Sequence, residues 1–281
     1  MDLLELAKPR IVGLVVATAA AGFYLAAPAS VEVGAFVHTL IGTTLVAAGT
    51  NALNQVAERD VDALMRRTAG RPLPTGRVSS AAAAAFAWLA GAVGIAYLAA
   101  FVNALTGVVA AVTLGSYVFL YTPLKRRTTL NTLIGAVPGA LPVVGGWTAA
   151  GGSLGLQAWV LFWILFLWQL PHFLALAWIY REDYARAGLR MLSVGDPGGS
   201  NTFHQAALYA LALLPVSLVP SMVGMTGPWY FFGAAFLSSW FVWVGVAAAR
   251  ERSTRQARRL FFTSVWYLPV LLALMVADKA A

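Results

Sequence analysis

The sequence predicts an all-α polytopic membrane protein, a single domain over residues 1–281 with nine transmembrane helices. Three observations predict it. Mean hydropathy is +0.75, with 60% hydrophobic and only 11% charged residues, outside the range of soluble globular chains. Apolar runs of about 20 residues, the length that crosses a bilayer core about 30 Å thick, recur along the whole chain. Basic residues fall in every second break between those runs, as loops on one side of a membrane would hold them.

Runs and breaks place the spans at roughly 11–27, 35–57, 80–101, 104–121, 131–149, 157–179, 204–223, 229–249 and 260–277. The first follows the leader "MDLLELAKPR", whose two acids and proline differ from a basic signal-peptide start. It is therefore expected to be retained, although "AAPAS" (26–30) vaguely resembles a cleavage site. The second span runs straight into charge at Glu58, and the third begins after the loop 58–79. Only residues 102–103 separate the third from the fourth, which ends in "YTPLKRRTTLN" (121–131). The fifth, around "GAVPGALPVVGGW" (135–147), is rich in Gly and Pro; it either lines a cavity or permits close helix packing. The sixth leads into the loop 180–203, and an arginine-rich stretch, 250–259, joins the eighth to the ninth.

This parse puts 18 of the 19 basic residues on one side, with Lys279 alone on the other. That side, with the N-terminus, is expected to be cytoplasmic in a bacterial plasma membrane. Loop orientation accounts for the net charge of +8 without a nucleic-acid partner. The absence of Cys excludes disulfides, thiolate metal sites and a Cys nucleophile.

Orientation does not account for the acids, which contribute little to it. Nine of eleven lie on the basic side. In "NQVAERDVDALMRRTAGRP" (54–72), Asn54, Glu58 and Asp62 are spaced i, i+4, i+8. On a continuing helix they form one stripe about 12 Å long, with Asn51 one turn earlier. Amide and carboxylate oxygens suit a hard cation such as Mg²⁺, which often binds one or two carboxylates plus substrate phosphates. Arg66, Arg67 and Arg71 suit phosphate through their planar forks. The pattern points to a diphosphate site at the membrane surface; the plainer alternative is a solvated helix end with its salt bridges. Lys125, Arg126 and Arg127 either neutralise a polyanion or anchor the fourth span. In "FLWQLPHFLALAWIYREDY" (166–184), Gln169 and His172 lie inside a span, where polar groups are functional candidates. The imidazole could ligate haem iron, orient a substrate, accept a proton or be a hydrogen-bonded core residue. Glu182 and Asp183 form a second carboxylate cluster or a solvated loop.

"NQVAERDVDALMRRTAGRPLPTG" resembles the first motif of the UbiA-type intramembrane prenyltransferases, N-x-x-x-D-x-x-x-D followed by R-T-x-x-R-P. Asn54 and Asp62 match, Glu58 replaces the middle Asp, and Arg67-Thr68 and Arg71-Pro72 match the tail. "KPRI" (8–11), "YTPLKRRTTLN" and "WQLPHFLALAWIYREDYARAG" extend the likeness to about residue 192, closest to the family branch that farnesylates haem. The chain departs from the wider family in lacking a second D-x-x-x-D after the sixth span, where it has His172 and then Glu182-Asp183. The resemblance implies nine helices bundled around a central cavity, capped by the loops after the second and sixth spans. It implies Mg²⁺ on Asn54, Glu58 and Asp62, and substrate binding by Asn51, Arg67, Arg71, Lys125, Arg126, His172, Glu182 and Asp183. The implied reaction joins farnesyl diphosphate to a vinyl group of haem B with addition of water, giving haem O and diphosphate. A downstream haem-modifying membrane enzyme is an implied partner. The rival readings are a prenyltransferase acting on a quinone precursor, a secondary transporter and a membrane scaffold.

Overall fold

The computed structural model describes residues 2–27, 31–151 and 153–280. Residues 28–30 of "AAPAS" and residue 152 lie outside them. Among the described residues nine helices are long and apolar enough to cross a membrane, with mean hydropathies of 1.4 to 2.1.

In chain order, a short helix α1 (Asp2–Ala7) precedes the first span, α2 (Pro9–Ala26). The second span, α3 (Val33–Ala57), is followed by the short α4 (Arg59–Leu64), and the third is α5 (Ser80–Phe101). The fourth, Ala104–Leu124, comprises α6 (Ala104–Gly115), a π-helical stretch Ser116–Tyr121 and α7 (Thr122–Leu124). Then come α8 (Asn131–Gly151), α9 (Leu156–Ile179), the short α10 (Arg181–Arg186), α11 (Ser200–Met222), α12 (Pro228–Glu251) and α13 (Thr254–Ala277).

The ninth span begins earlier than its hydropathy suggests. Ser253 caps α13 by accepting the Gln256 N–H, so Arg255, Arg258 and Arg259 sit on helix rather than in a loop. Likewise Pro138 and Pro142 lie inside a continuous α8.

Small residues set how closely the spans approach. A Cβ on Gly49 of α3 would stand 2.6 Å from the Gly91 nitrogen of α5, and one on Gly146 of α8 would collide with the Ala19 backbone of α2. Without those side chains, backbone meets backbone, as in small-residue packing of membrane helices. The glycines of the fifth span therefore serve contact: Gly135 faces the Tyr121 ring and Gly139 faces Gln169. α8 and α9 are the most buried spans. Seven of the ten Trp are exposed on the outside of the bundle, an apolar surface that suits lipid rather than water.

The two ends differ. At one end Lys279, the lone basic residue there, donates to Tyr24 O at 2.8 Å and Ala27 O at 2.5 Å, covering the last carbonyls of α2. At the charged end, the segments after the second and sixth spans pack together through Val61, Met65, Ala177, Ala187, Leu189 and Met191. Arg190 N–H donates to Lys125 O at 2.8 Å and Asn131 Nδ2 to Arg190 O at 2.8 Å, tying the segment after the fourth span to them. Three connections thus form one cap.

Candidate active site

α3 ends at Glu58, whose backbone (φ −105°, ψ 11°) interrupts the helix before α4. The hydrogen-bond ladder nevertheless continues, Glu58 N–H to Asn54 O at 2.9 Å and Asp62 N–H to Glu58 O at 2.7 Å. The spacing therefore delivers one stripe despite the break. Asn54, Glu58 and Asp62 are 3%, 9% and 1% exposed, so both carboxylates need compensation.

That compensation comes from two other segments. Lys125 Nζ lies 2.7 Å from Glu58 Oε1, and Arg71 Nη1 donates to Asp62 Oδ2 at 2.7 Å. Asp62 Oδ1 is buried with no hydrogen-bond partner among the described residues, and Glu58 Oε1 has the Lys125 ammonium as its one close partner there. Asn54 donates through Nδ2 to Thr122 Oγ1 at 3.4 Å, which leaves its amide oxygen as a further donor atom for a cation.

A partner-free buried oxygen of Asp62, near the Glu58 carboxylate and the Asn54 amide oxygen on one helical stripe, fits a hard divalent cation. Among the described residues no group of three or more His, Cys, Asp or Glu could hold a metal by itself. A cation here would therefore complete its shell with Asn54, water and ligand phosphate, as Mg²⁺ does.

The π-helical stretch before Lys125 positions the fourth span's contribution. Thr122 Oγ1 bonds back to Tyr117 O at 2.9 Å, and Lys125 Nζ lies over the Tyr121 ring at 4.4 Å. Such stretches often occur at functional sites. Burial works against the Lys125 ammonium, but Tyr121 and Glu58 outweigh it and push its pKa up. Lys125 is a fixed positive charge.

Lys8 was missed by the spacing argument. It links α1 to α2 in a left-handed conformation (φ 55°, ψ 67°) that is costly for a side-chain-bearing residue. α3 holds it there: Asn51 Nδ2 donates to Ala7 O at 3.1 Å and Gln55 Nε2 to Leu6 O at 2.7 Å. Burial, then the positive charges of Arg71 and Lys125, push Lys8 down to about 7, against the pull of Glu58 and Asp62. Arg71 and Lys125 thus pair the two carboxylates directly, and Lys8 lies within electrostatic reach of all four groups. The sequence signal was a lysine immediately before a helix-opening proline.

Other expected residues lie at varying removes. Asn51 binds the α1 carbonyl and so supports Lys8. Arg67 is exposed, its guanidinium 4.9 Å above the Tyr180 ring. Asp183 is buried and accepts the backbone N–H groups of Arg66 and Arg67, each at 3.4 Å, and Arg186 at 3.1 Å. It clasps the two main segments of the cap. Glu182 is exposed and has no ion-pair partner among the described residues. His172 lies about 12 Å along α9 from its end at Tyr180, bonded to Ser264 Oγ at 2.8 Å.

Beside the stripe is a cavity of about 450 Å³, lined by Glu58, Thr122 and Arg126 on its polar part and by Val61, Val118 and Leu189 on its apolar part. This is within the roughly 300–1,000 Å³ of small-molecule sites, and its mixed lining suits an amphiphile. None of its lining comes from the Gly-rich fifth span.

Comparison with known proteins gives the family and the fold. A family model described as the UbiA prenyltransferase family matches residues 15–267. The protoheme IX farnesyltransferase of Solibacter usitatus is 47% identical, over 99% of this chain and 98% of its own length. Among solved structures, a digeranylgeranylglyceryl phosphate synthase superposes with a TM-score of 0.83 at 15% identity, over 99% of this chain and 97% of that one. A UbiA homologue from Archaeoglobus fulgidus, bound to DMAPP and Mg²⁺, superposes with a TM-score of 0.69 at 15% identity, over 98% and 99%. With nine apolar helices long enough to cross a membrane among the described residues, this is an integral membrane enzyme, and the chain belongs to the UbiA prenyltransferase family.

Proposed function

We propose that the protein transfers the farnesyl group of farnesyl diphosphate to a vinyl group of haem B, giving haem O and diphosphate. The observation that carries a diphosphate at this site is the pair of buried carboxylates, one with a partner-free oxygen among the described residues, held against Arg71 and Lys125 with Lys8 in electrostatic reach. The choice of haem follows the relative that is 47% identical over nearly the full chain.

Asn54, Glu58 and Asp62 would hold Mg²⁺, which when bound supplies positive charge to the departing diphosphate, as preorganised charges do in transition states. Lys125 and Arg71 hold further positive charge about the phosphates, with Arg126 on the same cavity wall, and the arriving polyanion favours the protonated form of Lys8. Asn51 and Gln55 keep Lys8 in place through the α1 carbonyls. The apolar wall of Val61, Val118 and Leu189 receives the start of the farnesyl chain and keeps water from the allylic carbon as its bond to oxygen breaks. The electron pair of the haem vinyl group then forms the new carbon–carbon bond. Water adds to the adjacent carbon and releases one proton, which completes a hydroxyethylfarnesyl substituent. His172, deeper in the bundle, orients the haem. The basic end faces the cytoplasm of a bacterial plasma membrane, because Lys and Arg set orientation.

The test is a purified assay with farnesyl diphosphate, Mg²⁺ and either haem B or 4-hydroxybenzoate, with products resolved by mass. A product with haem B that gains one farnesyl group and one hydroxyl is expected. Prenylated 4-hydroxybenzoate with no haem product overturns the acceptor.

A further inference from the structure

We propose that Ser264 is a positioning residue for His172: it fixes the imidazole as the Nδ1–H tautomer and so leaves the Nε2 lone pair free to meet the iron of the acceptor haem. The haem half of this rests on the function proposed above.

A serine hydroxyl has one proton to donate. Ser264 Oγ donates it to Phe261 O at 2.5 Å, within its own helix. Toward His172 Nδ1, 2.8 Å away, the same oxygen is therefore an acceptor, and the ring proton sits on Nδ1. In a neutral imidazole the other nitrogen then carries the lone pair. The ring plane is fixed as well. Trp168 stacks on it with centroids 5.3 Å apart and 28° between planes, and Phe261 packs at 4.8 Å and 33°. The stacked indole is itself held by Ser264, because Trp168 Nε1 donates to Ser264 O at 2.8 Å. One residue of α13 thus holds both the imidazole of α9 and the aromatic ring lying on it. His172 is partly exposed, and among the described residues Nδ1 alone of its two ring nitrogens is hydrogen-bonded. An imidazole whose one N–H is bonded outward while the other nitrogen is free is the arrangement of metal-ligating histidines and their supporting partners.

The chain has three histidines, which makes the tautomer directly readable. Protein carrying ¹⁵N-histidine in lipid nanodiscs, without haem, gives ring-nitrogen shifts that His172→Gln assigns. The wild type is expected to show protonated Nδ1 and bare Nε2. Ser264→Ala is expected to mix the tautomers and to weaken haem B binding by roughly 10–100-fold, with farnesyl diphosphate binding unchanged. Ser264→Thr is expected to restore both. Protonated Nε2 in the wild type overturns the proposal without any variant, as does Ser264→Ala with unaltered tautomer. A shifted tautomer with unaltered haem binding overturns the haem role alone, and continued turnover on haem B then leaves the proposed function standing. Absence of any haem product from the wild type fails that function, and the tautomer result stands apart from it.

Discussion

Arg71 and Asp62 are joined at 2.7 Å on one oxygen of a carboxylate that is 1% exposed, while its other oxygen has no partner among the described residues. The guanidinium is therefore the main compensation for a charge that would otherwise be stranded. Arg71→Ala is expected to destabilise the metal-free protein by about 3–5 kcal/mol, the usual cost of breaking a buried pair from one side. Mg²⁺ should recover part of this loss by taking over the charge. Thermal unfolding with and without Mg²⁺ checks it: the variant should gain more in Tm from the metal than the wild type does. Asp62→Asn should remove turnover while remaining folded, since the amide leaves Arg71 a neutral acceptor.

Lys125 and Glu58 are 13% and 12% exposed and meet at 2.7 Å, so either alone is an unpaired charge in a poorly solvated place. Lys125→Met is expected to lower stability by more than the double variant Glu58→Gln/Lys125→Met does. A coupling of about 2 kcal/mol is the expected size for a contacting charged pair. Both variants should be inactive, because the double variant restores charge balance without restoring phosphate or metal binding. Unfolding curves and a farnesyl transfer assay on the same samples separate the two effects.

Lys8 makes stability depend on pH. Below about 7 it is protonated in both states, and the folded protein bears the full cost of burying that charge. Between about 7 and the ordinary 10.5 the unfolded chain keeps the proton and the folded one has lost it. The unfolded state then binds more protons, so stability rises with pH across that window. Tm of the metal-free protein should therefore climb from roughly pH 6.5 to 9.5, relative to Lys8→Met, which lacks the titrating group. An identical pH slope in the two proteins would remove Lys8 from the pocket's electrostatics.

The spans and the stripe were legible because they depend on local period. Twenty apolar residues read as a span wherever they occur, and Asn54, Glu58 and Asp62 keep their i, i+4, i+8 relation even across the break at Glu58. What local period could not give was partnership across the fold. Nothing in "KPRI" says that Lys8 lies among charges contributed by α3 and the segments after α4 and α7. The Gly-rich fifth span carried two meanings in sequence, and only the proximity of Gly135 to Tyr121 and of Gly146 to Ala19 decides for close packing. Ser264 gave no signal at all, since its role exists only through a contact with a helix 92 residues away in sequence.

Asp183 is the residue for which spacing and structure suggest different experiments. Its place in a second acidic cluster suggests substrate or metal. Its carboxylate, however, accepts two backbone N–H groups from the segment after α4 and pairs with Arg186, so it has little capacity left for a ligand. Its contribution is to close α10 onto the segment that carries Arg67 and Arg71. Asp183→Asn keeps an acceptor oxygen and should retain most activity. Asp183→Ala frees the clasp and should raise KM for farnesyl diphosphate by about tenfold, equivalent to roughly 1.4 kcal/mol, with a smaller change in kcat. The Mg²⁺ concentration needed for half-maximal rate should not move, because Asp62 and Glu58 are untouched. A large shift in that Mg²⁺ requirement in Asp183→Asn would instead make this carboxylate a metal ligand, and the clasp a secondary feature.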